Sequence, residues 1–256
     1  MLIATWNVNS LRARMPRVLE FLDLHAPDVV LLQETKTAPE QFPHLELLAC
    51  GYQTIDHSGG QWAGVALLAR DGLEVGDVVI GLAEEPVDEA RWVEAEIDGM
   101  RFVSVYVVNG RTLDDPMFAI KLDFLRAAAR RAAALRAVGS TVIGGDFNIA
   151  PTDNDVYDPV AFIGGTHVTD DERGHLRALL DAGYVDAFRH CTPEGQGFTW
   201  WDYRAGNFHK GKGLRIDILA VSEDLVDTIT DCGIDRNFRK GPKPSDHAPL
   251  LLRLDR

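Results

Sequence analysis

TVIGGDFNIAP, residues 141–151, is the stretch on which the reading of the whole chain turns. Thr141, Val142 and Ile143 are β-branched residues of the kind that fill a buried strand. Gly144 and Gly145 then remove all side-chain bulk, and Asp146 and Asn148 follow, two residues apart. Extended backbone has a side-chain period of two, so the carboxylate and the amide face the same way. A core strand that ends by aiming two polar groups at one place implies chemistry at that place.

The pattern recurs outward from there. Strands are expected at Leu2–Trp6, Val29–Gln33, Val65–Ala69, Val75–Ile80, Trp92–Ile97, Phe102–Val108, Val142–Asp146 and Ile216–Val221. Several are near-continuous apolar runs, which suits strands covered on both faces. Asp98-Gly99 reads as the turn of a hairpin. One helix is expected to start near Pro16, as a first helical position, and to stop before Pro27. A second is expected over Phe118–Val138, and a third over residues 171–183. No Gly/Ser/Pro linker or low-complexity tract divides the chain, so residues 1–256 read as one α/β domain. A strand leading into WNVN (6–9) and another into GDFN (145–148) leave a faint echo of internal duplication.

Polar groups sit at the strand ends. Asn7 and Asn9 follow the first strand, Gln33 and Glu34 the second, Tyr106 and Asn109 a later one. Asp217 stands inside the apolar run LRIDILAV, and Asp246 and His247 lie between prolines. Singly, each has an ordinary explanation: a turn Asn, a solvated loop acid, a core Tyr. Asp217 is harder to explain, because a carboxylate among Ile216, Ile218 and Leu219 needs a partner. Arg215 would face the other side of a regular strand, which leaves His247, whose ring N–H an Asp can hold and whose charge it favours. Together the set is rich in hard oxygen donors, which fits Mg²⁺ or Mn²⁺ rather than zinc. No nucleophile elbow, P-loop or dinucleotide fingerprint is present. The residues therefore point to metal-assisted hydrolysis of a phosphate ester by water.

Composition sets bounds. Hydrophobic residues are 46% and charged residues 25% of 256, ordinary for a water-soluble domain. No apolar run approaches a membrane span, and the start lacks a signal-peptide pattern, so a cytoplasmic protein without a membrane partner is expected. Cys50, Cys191 and Cys232 form no C-x-x-C and read as free thiols. The net charge of −13 argues against a general polyanion binder. Two basic clusters, Arg204/Lys210/Lys212/Arg215 and Arg236/Arg239/Lys240/Lys243, leave room for a locally basic end.

In chain order, WNVNSLRAR (6–14), PDVVLLQETK (27–36), GGDFNIAPTDNDVYDP (144–159), FTWWDYR (198–204), GLRIDILAVS (213–222) and KPSDHAPL (243–250) resemble the exonuclease III family of DNA-repair nucleases, in the exonuclease–endonuclease–phosphatase superfamily. The resemblance implies a four-layer α/β sandwich, two mixed β-sheets face to face with helices outside. It implies a Mg²⁺-dependent nuclease, with Mn²⁺ substituting, that cuts duplex DNA 5′ to abasic sites. Activity as a 3′→5′ exonuclease and 3′-phosphatase, and a monomer, are implied with it. By motif, Glu34 resembles the main metal ligand, with Asn7, Asp146, Asn148, Asp246 and His247 as further ligands, direct or water-bridged. Asp146 or His247 would be the base; Asp217 would orient His247, Asn148 would contact the phosphate and Tyr106 would contact it or tune nearby groups. Asn109, Trp200, Leu214 and Arg215 would meet the DNA, with Trp200 and Leu214 lining an abasic-sugar pocket and one of Trp200 and Trp201 serving the core. Asn9 and Leu214 stand where some members have Asp and Trp, which bears on metal contact at 9 and on the pocket wall at 214. The competing readings are a different superfamily phosphoesterase and a silent DNA-binding relative.

Overall fold

Leu2–Asn7 (β1) and Val29–Gln33 (β2) are buried at every position because both faces of each strand are covered. The computed structural model describes residues 1–256. In it β1 runs parallel to β2 and antiparallel to Leu250–Leu254 (β12). Tyr52–His57 (β3), Val65–Arg70 (β4) and Ile229–Ile234 (β11) complete a six-stranded sheet in the order β11-β12-β1-β2-β4-β3. The second sheet is built from Val75–Ile80 (β5), Trp92–Ile97 (β6), Met100–Tyr106 (β7), Thr141–Asp146 (β8), Tyr184–Asp186 (β9) and Asp217–Ser222 (β10). Its order is β5-β6-β7-β8-β10-β9.

Strand alternation makes the layers. Ile3, Leu31, Val65 and Leu67 meet Val93, Phe102, Val142 and Leu219 in one cluster between the sheets. The alternate residues Ala4, Leu32, Ala66 and Leu68 face outward onto Val18, Phe21 and Leu22 of α1 (Leu11–His25) and Leu47 of α2 (His44–Ala49). On the far side Val103, Ile143 and Ala220 pack against α3 (Pro116–Arg136) and α4 (Asp170–Leu180). Phe188 of the short α5 (Ala187–Cys191) closes one end of the inter-sheet core. The result is the expected four-layer α/β sandwich. Each fully buried Leu or Phe contributes roughly 1.5–3 kcal/mol.

The echo between WNVN and GDFN has a structural counterpart. Read from opposite edges, the two sheets match strand for strand: β1 and β8 each lie third, each with one antiparallel and one parallel neighbour. Both deliver a polar residue at their C-terminal ends.

Several expectations are corrected. α1 begins at Leu11, capped by the Ser10 hydroxyl accepting from Ala13 N–H, and Pro16 lies inside it. Proline removes one helix hydrogen bond there, which packing of Val18, Phe21 and Leu22 offsets. β3, β9, β11 and β12 were not anticipated. Three of them lack a clear apolar period, because β3 and β11 are edge strands and β9 is three residues long. β5 has the apolar look of a covered strand, yet most of it is exposed at a sheet edge.

Candidate active site

The ends of β1, β2, β7, β8 and β10 converge between the two sheets. Close packing beneath makes this possible. A Cβ on Gly145 would lie 1.8 Å from Val105 O, and one on Gly144 2.6 Å from Leu219 Cδ2. Only glycine lets β7 and β10 approach β8 this closely. Cross-strand register then sets Asp146 directly between Tyr106 and Asp217. From the other sheet, Asn7 pairs with Gln33, and Glu34 follows in left-handed backbone with φ 52°. Gln33 spans the sheets by donating to Ser104 Oγ at 3.0 Å, which ties the two halves together at this end.

Glu34, Asp146 and His247 offer ligand atoms within 4.8 Å of one another. Asn7 clasps the two carboxylates, its Nδ2 donating to Glu34 Oε1 at 2.7 Å and to Asp146 Oδ2 at 2.9 Å. Its Oδ1 accepts from Asn9 N–H. Asn7, expected as a direct or water-bridged ligand, thus bridges the two carboxylates through its Nδ2. Asn148, also expected as a ligand, has its Oδ1 taken by Asn109 Nδ2 at 2.9 Å and donates from Nδ2 to Val107 O. One N–H remains, so it is equipped as a donor. Its own backbone N–H donates to Asp146 Oδ1 at 2.8 Å.

Asp217 receives His247 Nδ1–H at 2.8 Å, and His247 Nε2 stands 3.7 Å from Asp146 Oδ2. Burial disfavours a charged ring, but Asp217 and Asp146 override it and push His247 up to about 10. Burial raises Asp146 to about 7; the His247 charge opposes this, and Asp217 and Glu34 add to it. Tyr106 is raised well above its ordinary value by burial and by Glu34 and Asp146, while the Arg91 guanidinium lies 4.6 Å over its ring. The site thus holds excess negative charge among hard oxygens, a donor set that suits a divalent cation. A protonated His247 has no lone pair to offer a cation, whereas Glu34 and Asp146 each offer a carboxylate oxygen.

Other expected residues lie elsewhere. Asp246 stands outside the three-residue group, its oxygens accepting from Asn9 Nδ2 at 2.9 Å and Trp200 Nε1 at 3.1 Å. Leu214 is 0% exposed, packed with Ala150, Val156 and Ile216 beneath a half-buried Trp200, and so backs that ring without facing solvent. Arg215 does not meet DNA: it is 0% exposed and paired with Asp155 and Asp186, which neutralise a charge that could not be buried alone. Arg239 is likewise buried, donating to the carbonyls of Asp246 and Trp201. Trp201 is the core tryptophan. Arg236, Lys240 and Lys243 remain exposed, as do Lys210 and Lys212.

Sequence reasoning missed some supports. Ser245 donates to Asn7 O at 2.7 Å and accepts from His247 N–H, joining the SDH segment to β1. Thr199 Oγ1 accepts from the N–H groups of Ile216 and Asp217. Lys36 pairs with Glu34 at 2.6 Å and donates to Asn9 Oδ1. Ser245, Thr199 and Lys36 lie within the motif segments, yet a hydroxyl or ammonium acting on backbone or neighbour leaves no periodic signal.

This combination of two mixed sheets and a shared carboxylate–histidine site defines a phosphoesterase of the Endonuclease/Exonuclease/phosphatase family, to which the chain belongs: that family's model matches residues 4–247. Within it the chain resembles exodeoxyribonuclease III of Haemophilus influenzae, 30% identical over 96% of this chain and 97% of that protein. Among solved structures it resembles the 3′ phosphatase NExo from Neisseria bound to a product DNA hairpin (37% identity, TM-score 0.97) and an AP endonuclease from Archaeoglobus fulgidus (32%, TM-score 0.96). Both are matched over 100% of each chain.

Proposed function

We propose that the chain, as one catalytic domain over residues 1–256 acting as a monomer, is a DNA-repair nuclease. It hydrolyses phosphodiesters 5′ to abasic sites in duplex DNA. It also trims 3′ ends as a 3′→5′ exonuclease and 3′-phosphatase. The observation that carries this is the meeting of Glu34, Asp146 and His247 within 4.8 Å, from segments spread over most of the chain. Mg²⁺, with Mn²⁺ able to replace it, would be held by Glu34 and Asp146 and would supply charge stabilisation at the phosphate. Free cysteines and the lack of any helix long and apolar enough to cross a membrane are in keeping with work in the cytoplasm.

The residues divide the work. Asp146 takes a proton from the attacking water and returns one to the departing 3′ oxygen as the P–O3′ bond breaks. His247, held charged by Asp217, donates to a non-bridging oxygen; its raised pKa makes it a poor base. Asn148 offers its remaining N–H to the same phosphate, aligned by Asn109, and Tyr106 offers its un-ionised hydroxyl. Trp200, half-buried over Leu214, lines the pocket that meets the DNA.

Full burial of Leu214 favours a second reading, an enzyme of 3′ ends with little room for an extruded abasic sugar. One experiment tests both. A labelled abasic duplex and a 3′-phosphate hairpin are incubated with Mg²⁺ or with chelator. Cleavage of both in Mg²⁺ alone is expected; hydrolysis of only the hairpin selects the second reading, and neither overturns the nuclease assignment.

A further inference from the structure

α3 carries a lysine where its apolar stripe should continue. Lys121 is 0% exposed, and its three ammonium N–H groups reach Glu172 Oε1 at 2.5 Å and Asn148 O at 2.7 Å and share the third between Asn109 O and Thr166 Oγ1, each at 3.3 Å. Glu172, on α4, also accepts from Thr166 Oγ1 and His167 N–H. The same Asn148 carbonyl meets His167 Nδ1 at 2.5 Å, so two donors converge on it.

Stability alone is a poor reason for this arrangement. A buried ion pair gains little over well-packed apolar residues of similar volume, because two charges must be stripped of water. What the pair does instead is hold two backbone carbonyls from below. Those carbonyls belong to Asn109 and Asn148, whose side chains are joined to each other at 2.9 Å. Asn148 sits in left-handed backbone, φ 52°, a conformation asparagine adopts more readily than most residues. A shift there moves the remaining Asn148 N–H and also the Asn148 backbone N–H bonded to Asp146.

We infer that Lys121 is a positioning residue for this reaction: its ammonium, neutralised by Glu172, sets where Asn109 and Asn148 stand relative to the reacting phosphate. The inference rests on the nuclease reading above and adds to it a part that never touches substrate. Thr166, whose single hydroxyl proton goes to Glu172 Oε1 at 2.7 Å, lies 3.3 Å from the Asn109 carbonyl and adjoins the same brace.

The test compares wild type with Lys121→Met, Lys121→Met/Glu172→Gln, Lys121→Gln and Asn148→Ala, each alone, plus Lys121→Met in the Asn148→Ala background. The substrate is whichever of the abasic duplex and the 3′-phosphate hairpin the wild type cleaves; a wild type inactive on both overturns the nuclease reading, and this inference with it. With an active wild type, kcat of Lys121→Met falls about 10- to 100-fold, with KM unchanged within about twofold. The double variant, free of the orphaned carboxylate, melts higher than Lys121→Met yet keeps the low kcat. Lys121→Gln, which keeps two N–H donors, recovers part of the loss, and it carries the comparison if the Met variant does not fold. In the Asn148→Ala background Lys121→Met costs less than about threefold, because its route of action is already gone. The inference is overturned if kcat returns to wild type along with stability in the double variant. It is equally overturned if the loss falls on KM, or if the losses from Lys121→Met and Asn148→Ala multiply in full.

Discussion

Replacing Asp217 with Asn removes the charge that keeps His247 protonated while leaving the side-chain shape almost unchanged. In the folded protein His247 is pushed up to about 10, against an ordinary value of 6.5. Between those values the native state binds a proton that the unfolded chain does not, so stability falls as pH rises, by up to about 1.4 kcal/mol per pH unit. The contribution is fully present below the unfolded value and lost as pH passes the folded one. Asp146 is raised in the same way, to about 7, so its own share is already lost above neutrality. The window from pH 7 to 10 therefore isolates the histidine. In Asp217→Asn, burial persists and the larger opposing charge is gone, so with only Asp146 and Asp246 left to favour it the charged ring loses most of its advantage in that window. The variant should be less stable than wild type by roughly 3–5 kcal/mol at pH 7, the usual cost of breaking a buried pair. The gap should close steadily toward pH 10. For a chain of this size about 2–4 °C of melting temperature corresponds to each kcal/mol. Calorimetric melts in chelator, at half-unit pH steps, measure it without any contribution from a cation. A gap of constant size from pH 7 to 10 would refute the claim that Asp217 holds the His247 proton.

Glu34→Gln should cut Mg²⁺-dependent turnover by about a thousandfold or more and weaken cation binding measured by titration calorimetry, while the fold, followed by circular dichroism, is retained. Gly145→Ala forces β7 and β8 apart at Val105 and should lower stability in denaturant titration by about 1–3 kcal/mol or more. Gly76→Ala, with nothing within 4 Å of the new methyl group, should not. Trp201→Ala should cost about 3–5 kcal/mol as a core truncation. Trp200→Ala should spare the melt and weaken DNA affinity in a fluorescence-anisotropy titration.

Much of the site was legible because its residues occupy strand ends, where a polar residue interrupts an apolar run. Asp146 and Asp217 stood out on that ground and prove to be cross-strand neighbours, while His247 followed as the partner Asp217 needed. The chemistry was less legible where neighbours decide it. Asn7 and Asn148 are amides that could ligate, bridge or donate, and only their surroundings show Asn7 bridging two carboxylates and Asn148 left with one free N–H. Arg215 lies one residue from Leu214 and two from Asp217, and nothing local says that Asp155 and Asp186 wait for its guanidinium. Lys121 interrupts the apolar stripe of α3, and nothing local says that Glu172 waits opposite.

The amino-acid order alone settled the layered α/β architecture and the kind of chemistry. Alternation and apolar runs report which faces a strand buries, and clustered hard-oxygen donors report a cation-assisted hydrolysis. Which donors face the phosphate and which only face each other was decided in three dimensions. That choice depends on hydrogen bonds a few ångströms long between residues as far apart as Asn9 and Asp246, and a hydrogen bond, unlike burial, imposes no periodicity on the chain that makes it.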